Sequence, residues 1–303
     1  MRILITGAGG FIGRKLIAAL LGEADTEITA LSRSGLDIPG IRFYPCNILN
    51  SDAVENVFKE NQFDCVVHLA AITAHSEIVG NRMKTFETNL QGTINLLNSF
   101  NRYCHGGQFI YSSTGKVYGR TNEMPISENA LVNPTNILGK TKRITEEVIE
   151  FYAQPENRYL ILRIFNIYGE GQRSNFVLPT ILAQLEQERL NLGSLRDFRD
   201  YLYVDDLIGA FKACIASPAS FSNVDHVNVG SGEPACVADI LREIEKLIGR
   251  KLTITADQSK FRRDETPVEF CSHSKLTAQT GWTPKYSLAD GVKKTLRANG
   301  VIS

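Results

Sequence analysis

ILITGAGGFIG, residues 3–13, decides the fold. A short apolar run from Ile3 to Thr6 leads into glycines at 7, 10 and 13, and helical spacing follows. Such glycines let the backbone turn sharply, approach a pyrophosphate closely and pack helix on strand, while the helix N–H groups face the anion. The spacing is G-x-x-G-x-x-G, because Ile12 stands where G-x-G-x-x-G has its last glycine. Gly7, Gly10, Phe11, Ile12 and Gly13 are therefore expected to border a dinucleotide.

Outward from this turn, short apolar runs alternate with helical patterns. Strands are predicted at 3–6, 27–31, 65–69, 108–112 and 159–164, and helices at 15–21, 53–60, 86–103 and 142–153. Alternation of this kind gives βαβ units and a parallel sheet. The fold class is α/β: a Rossmann-type doubly wound parallel sheet with a smaller mixed α/β C-terminal lobe. The division falls near residue 166, with 1–166 binding the dinucleotide and 167–303 the substrate. In the second part Gly and Pro punctuate shorter segments such as 203–216 and 237–248. Parts of 203–230 are expected to pack back on the first domain.

The chain has 303 residues and 43% apolar content, with 33 basic and 33 acidic residues. That balance leaves no global basic field for nucleic acid, so an anionic ligand must be held by local charge. The six cysteines lack C-x-x-C spacing and lie mostly in apolar stretches, which points to buried thiols and not to disulfides or metal ligands. No run of about 18 apolar residues and no N-terminal leader pattern occurs, so a soluble, cytoplasmic protein is expected, with no membrane and no metal site.

The end of the second strand selects the cofactor, because an acid there would accept from the ribose hydroxyls and repel a 2′-phosphate. Here the chain has Ser32-Arg33. A hydroxyl and a guanidinium suit a phosphate, which favours NADP over NAD, with NAD left open.

Several further segments occur together: VVHLAA at 66–71, NLQGT at 89–93, YSSTGKVYG at 111–119, LRIFNIYG at 162–169, RDYLYVDD at 199–206 and NVGSGEP at 228–234. With TGAGGFIG at 6–13 they resemble the extended short-chain dehydrogenase/reductase family, in particular its nucleotide-sugar epimerases, dehydratases and reductases. The resemblance implies that Leu69, Ala70, Ala71, Asn89, Ser112 and Phe165 line the cofactor. It also places Asn47 and Ile48 by the adenine, where relatives often carry Asp.

Family chemistry needs a Ser or Thr, a Tyr, and a Lys four residues after the Tyr. A spacing of four puts both on one helix face, so the ammonium can lower the phenol's pKa and grip the nicotinamide ribose. Alignment on the family's Y-G-x-S-K places Lys142 on the lysine, Thr114 on the hydroxyl residue and Leu138 on the tyrosine. Losing a positioned acid/base costs about 10²- to 10⁴-fold in rate. Three explanations stay open: a weak catalyst that binds both ligands, a substitute proton carrier among Tyr118, Tyr168, His75 and Lys140, or hydride exchange served by Thr114, Lys142 and water.

Dehydratases of the family carry Asp-Glu after the Thr, and bifunctional epimerase-reductases carry Cys there; this chain has Gly115-Lys116. A 4-keto-sugar reductase or a 4-epimerase remains, with reduction preferred because dissociable NADP(H) suits it. A non-catalytic ligand binder is the alternative of another class. For the nucleoside-diphosphate sugar, the resemblance implies contacts from His75, Thr114, Asn166, Arg173, Asn175, Arg199 and Arg262. Helical segments 86–103 and 142–153 correspond to those that pair in family homodimers.

Overall fold

The computed structural model describes residues 1–36, 38–257 and 266–303, with His75 described by its backbone alone. Its main sheet comprises β1 (Arg2–Thr6), β2 (Glu27–Ser32), β3 (Arg42–Pro45), β4 (Cys65–His68), β5 (Gln108–Thr114), β6 (Arg158–Ile164) and, from later in the chain, β10 (Val224–Val229). All pairings are parallel, in the order β10-β6-β5-β4-β1-β2-β3. The order reverses beside β1, and ligands in such sheets lie outside the carboxyl ends at that point. Thr6 pairs with His68 and His68 with Tyr111, so the ends of β1, β4 and β5 are level there.

Both faces of the sheet are covered, which is why β1 and β4 are apolar almost throughout and not alternating. Ile3 and Ile5 point into one core with α1 (Phe11–Leu20) and α8 (Val204–Ala216), through Leu16, Ile17, Leu207 and Phe211. Leu4 and Val66 point into the other, with α2 (Ser51–Glu60), α5 (Gly92–Tyr103) and α6 (Ile137–Tyr152), through Phe58, Leu96, Phe100 and Ile149. From later in the chain, α8 packs on α1, and β10 extends the sheet beyond β6.

The C-terminal lobe is built on a second sheet. β9 (Phe198–Tyr203) pairs with β7 (Asn166–Tyr168), β11 (Pro234–Ala235) and β13 (Val268–Glu269), while β8 (Leu190–Leu192) pairs with β12 (Ile254–Ala256). Helices α7 (Val177–Leu182), α9 (Val237–Ile248), α10 (Ser274–Thr280) and α11 (Leu288–Ala298) complete it. On α9, Val237, Ile240, Leu241 and Ile244 form one buried stripe, worth about 1.5–3 kcal/mol for each side chain buried. Ile244→Asp would place an unpaired carboxylate in that core.

Two differences from the sequence expectations concern this frame. The helix expected over 86–103 forms but starts earlier and carries an irregularity: after α3 (His75–Gly80), α4 (Arg82–Phe86) runs through a π-turn, Glu87–Gln91, directly into α5. Apolar periodicity continues through the turn, so the pattern hides the extra residue. Strands β3 and β10 were also absent from the expectation, because RFYP is short and partly exposed and VDHVNV carries buried polar residues. Among the described residues, no helix is long and apolar enough to cross a membrane, and all six cysteines are buried and free.

Candidate active site

The glycine turn sits at the reversal point. Gly7 has φ +67°, and a Cβ on it would lie 2.7 Å from the Ala70 amide nitrogen, so conformation and space both demand glycine. Gly10 caps α1 in extended conformation with no side-chain cap, and no acid occupies the first turn. Its unbonded N–H groups therefore keep their partial positive charge toward the crevice. Gly13 lies directly over the Gly7 carbonyl, and Ile12 packs into the core below. Phe11 instead reaches the C-terminal lobe, where it packs with that lobe's core. Lys15 pairs with Glu170, which also accepts from the Tyr203 hydroxyl at 2.8 Å, so the turn is bolted to the second lobe.

Ser32 and Arg33 close one side of this crevice. The Ser32 hydroxyl lies 3.1 Å from where a Gly9 Cβ would be, and Arg33 is exposed at the end of β2. Asn47 is exposed, its side-chain oxygen accepting from the Leu49 amide at 3.2 Å; Ile48 is buried against Gly92.

The end of β4 is held by a network in which the sequence pointed to Asn89 but gave no role to Thr6, His68 or Thr93. The Thr93 hydroxyl donates to the Asn89 carbonyl at 2.7 Å, so toward His68 Nε2, 2.9 Å away, it accepts. The network thereby assigns the proton to Nε2, leaving Nδ1 to accept from the Thr6 hydroxyl at 2.7 Å. The Thr6 oxygen in turn accepts from the Ala70 amide at 3.2 Å. Burial, with Lys142 nearby, pushes His68 down to about 3, which keeps this ring neutral. Asn89, in the π-turn, takes both backbone groups of Ile72. Leu69, Ala70 and Ala71 are thus fixed, half-buried, beside the glycine turn. His68 sits in an apolar strand, so its sequence context signals only core.

Thr114 ends β5, and its hydroxyl accepts from the Lys116 amide at 3.3 Å. Lys142, 3% exposed on α6, donates to the Ser112 carbonyl at 2.6 Å and lies 4.5 Å from the Tyr111 ring centroid. Burial pushes its ammonium down to about 7, against the opposing pull of Glu146 one turn along. Asn136 caps α6 through the Gly139 amide, so Leu138 lies in the first turn, half-buried and without a proton to exchange. Phe165 is buried with its ring over Gly115, where a Cβ would come within 2.8 Å of it. That ring occupies the space a larger residue after Thr114 would need.

Beneath lies a buried charged layer that no motif announced. Glu146, fully buried, takes Arg163 at 2.9 Å and the Ser113 hydroxyl. Arg163 donates to the Tyr118 hydroxyl at 3.1 Å, and that hydroxyl donates to Asn228 at 2.7 Å. Of the proposed substitute proton carriers, Tyr118 is therefore spent in the core, where burial pushes its phenol up to about 12. Tyr168 is also buried, donating to the Leu288 carbonyl at 3.3 Å, and Lys140 is exposed. The His75 side chain lies outside the described residues.

In the second lobe, Asn166 is half-buried opposite Tyr201. Arg199 is 5% exposed and donates to the Phe198 and Thr266 carbonyls, both at 2.8 Å. Arg173 is exposed and pairs with Glu77 at 2.9 Å, and Asn175 is exposed two residues on. Arg262 lies outside the described residues. Asp200 ties the loop after β10 to the segment after β13 by accepting from Ser231, Gly232 and Cys271.

The arrangement combines an uncapped glycine turn with a buried lysine near the carboxyl ends of the central strands. The chain as a whole is similar to known proteins. GDP-6-deoxy-D-mannose reductase of Pseudomonas aeruginosa is 29% identical over 98% of this chain and 95% of its own. The structure of UDP-glucose 4-epimerase from Thermotoga maritima with UDP-glucose superposes with TM-score 0.89 at 26% identity, covering 99% of each chain. The structure of RMD from Pseudomonas aeruginosa complexed with NADPH gives TM-score 0.85 at 28% identity over 98% of each chain. The NAD dependent epimerase/dehydratase family model matches residues 3–230, and the chain is a member of that family of enzymes.

Proposed function

We propose that this chain is an NAD(P)-dependent oxidoreductase acting at C4 of a nucleoside-diphosphate sugar, a 4-keto-sugar reductase first and a 4-epimerase second. The observation that carries it is the placement of Lys142 and Thr114 at the carboxyl ends of the central strands, beside the uncapped glycine turn. Residues present fit a dinucleotide: the turn leaves helix N–H groups for the pyrophosphate, and Ala70 and Ala71 form a fixed wall. When bound, the nicotinamide supplies or takes the hydride. Lys142 holds the ribose side by charge and hydrogen bonding, Ser112 fixes Lys142, and Thr114 orients the sugar's C4 oxygen. Ser32 and exposed Arg33 support NADP over NAD, since a guanidinium matches a phosphate bidentately.

Within this reading, residues 1–166 carry the cofactor and 167–303 the sugar nucleotide, with Asn166, Arg199 and Arg262 toward its diphosphate. Arg173 and Asn175 border it from the α7 side. The protein acts in the cytoplasm as a homodimer paired through α5 and α6, which leave Phe151 86% exposed next to Asn98 and Arg102.

Purified protein offered NADPH or NADH with UDP-, GDP-, CDP- and dTDP-linked 4-keto sugars tests it. Loss of reduced-nicotinamide absorbance is expected with one of them. Binding without absorbance loss or isomer conversion would leave a ligand-binding protein in place of an enzyme.

A further inference from the structure

Leu138 leaves the reaction without its usual proton carrier, and the remaining hydroxyls and amines near Thr114 are spent. Lys142 is buried and taken up by Ser112 and, on the reading above, the cofactor ribose, and Tyr118 and Tyr168 are bound to buried partners. Lys116 is paired too, but its side chain stays partly exposed. It follows Thr114 by two residues, and its amide donates to the Thr114 hydroxyl. Its carbonyl abuts the first turn of α6, where a Cβ on Gly139 would lie 2.4 Å from it, so the residue sits against the neighbour of Leu138. Its side chain is 22% exposed, and Nζ donates to Glu269 at 2.7 Å. Glu269, 7% exposed, belongs to β13 of the second lobe and pairs in register with Arg199. The ammonium therefore links the end of β5 to β13 of the second lobe and stays partly exposed, two residues from the hydroxyl that the reading above assigns to the sugar.

We propose that Lys116 is the catalytic proton donor to the sugar's C4 oxygen, in the place that Leu138 cannot fill. This rests on the reading above. In reduction, hydride from the reduced nicotinamide forms the C4–H bond and the carbonyl π pair moves to oxygen. The Lys116 N–H bond breaks as the O–H bond forms, and its electron pair stays on the amine. Solvent returns a proton to Lys116, which pairs again with Glu269. Oxidation runs the same transfer backwards.

Lys116→Arg separates this role from a plain link between lobes, because guanidinium keeps the ion pair but does not give up its proton at working pH. With NADPH and the 4-keto sugar turned over by the wild type, Lys116→Arg and Lys116→Ala should both lose about 10²- to 10⁴-fold in kcat. KM for NADPH should be unchanged, the Arg variant should melt like the wild type, and small primary amines should partly restore Lys116→Ala. A Lys116→Arg variant with full kcat overturns the proposal while leaving the proposed function standing. Calorimetry adds an arm independent of turnover: Lys116→Met should bind UDP- or GDP-hexose more weakly but bare UDP or GDP equally well. Equal hexose-nucleotide binding by variant and wild type overturns Lys116 alone; no binding by wild type overturns both readings.

Discussion

Replacing Lys142 by Met should stabilise the ligand-free protein. Burial lowers the ammonium from 10.5 to about 7, so between those values the unfolded chain holds a proton that the folded chain does not. Stability from this group accordingly rises with pH from about 7 to 10.5, and the cost is fully present below 7. At about 1.4 kcal/mol for each pH unit, that cost is roughly 5 kcal/mol. Against it, Met leaves the Ser112 carbonyl without the 2.6 Å donor, a loss of about 1–3 kcal/mol. The net gain at pH 6.5 is about 2–4 kcal/mol, which raises the melting temperature by about 4–16 °C at roughly 2–4 °C per kcal/mol. Circular-dichroism melts of both proteins from pH 6 to 10.5 should show the variant's advantage shrinking as pH rises and turning into a deficit of about 1–3 kcal/mol near 10.5, where only the lost Ser112 contact remains. A Met variant that melts lower at pH 6.5, or a gap that ignores pH, would refute the reasoning. NADPH should raise the wild-type melting temperature more than the variant's, since only the wild type retains the ribose contact.

Leu138→Tyr should leave nucleotide-sugar binding intact and fail to raise the rate, because the proton route runs elsewhere; a gain of about 10²-fold or more in kcat would mean a decayed tyrosine site. Gly115→Ala should cost about 1–3 kcal/mol by driving Cβ into the Phe165 ring, with Phe165→Leu restoring most of the lost melting temperature; an unchanged single variant contradicts the packing. Arg33→Asp should raise KM for NADPH about 10- to 100-fold and leave NADH nearly untouched, checked by initial rates with each cofactor.

Sequence periodicity alone located the central strands and α9, because a parallel sheet covered on both faces leaves long apolar runs between glycine punctuation. The glycine turn was equally legible, since Gly7 answers a local demand of φ and close approach. Strand β10 and the π-turn were not: the first is fixed by pairing with β6 across the 59 residues between them, and the second by Asn89 clasping Ile72.

The same boundary runs through the site. On the proposed reading, the residue identities at 114, 138 and 142 are enough to remove the usual proton carrier, because a leucine has no proton to exchange in any fold. Which group stands in for it depended on burial and partners. In YSSTGKVYG the sequence offered Tyr118 as a substitute and not Lys116, yet the Tyr118 hydroxyl closes a buried network with Arg163 and Asn228 while the Lys116 side chain crosses to Glu269 in the second lobe. Charge and hydrogen bonding act over a few ångströms, and only the folded chain brings residues 116 and 269 within that reach.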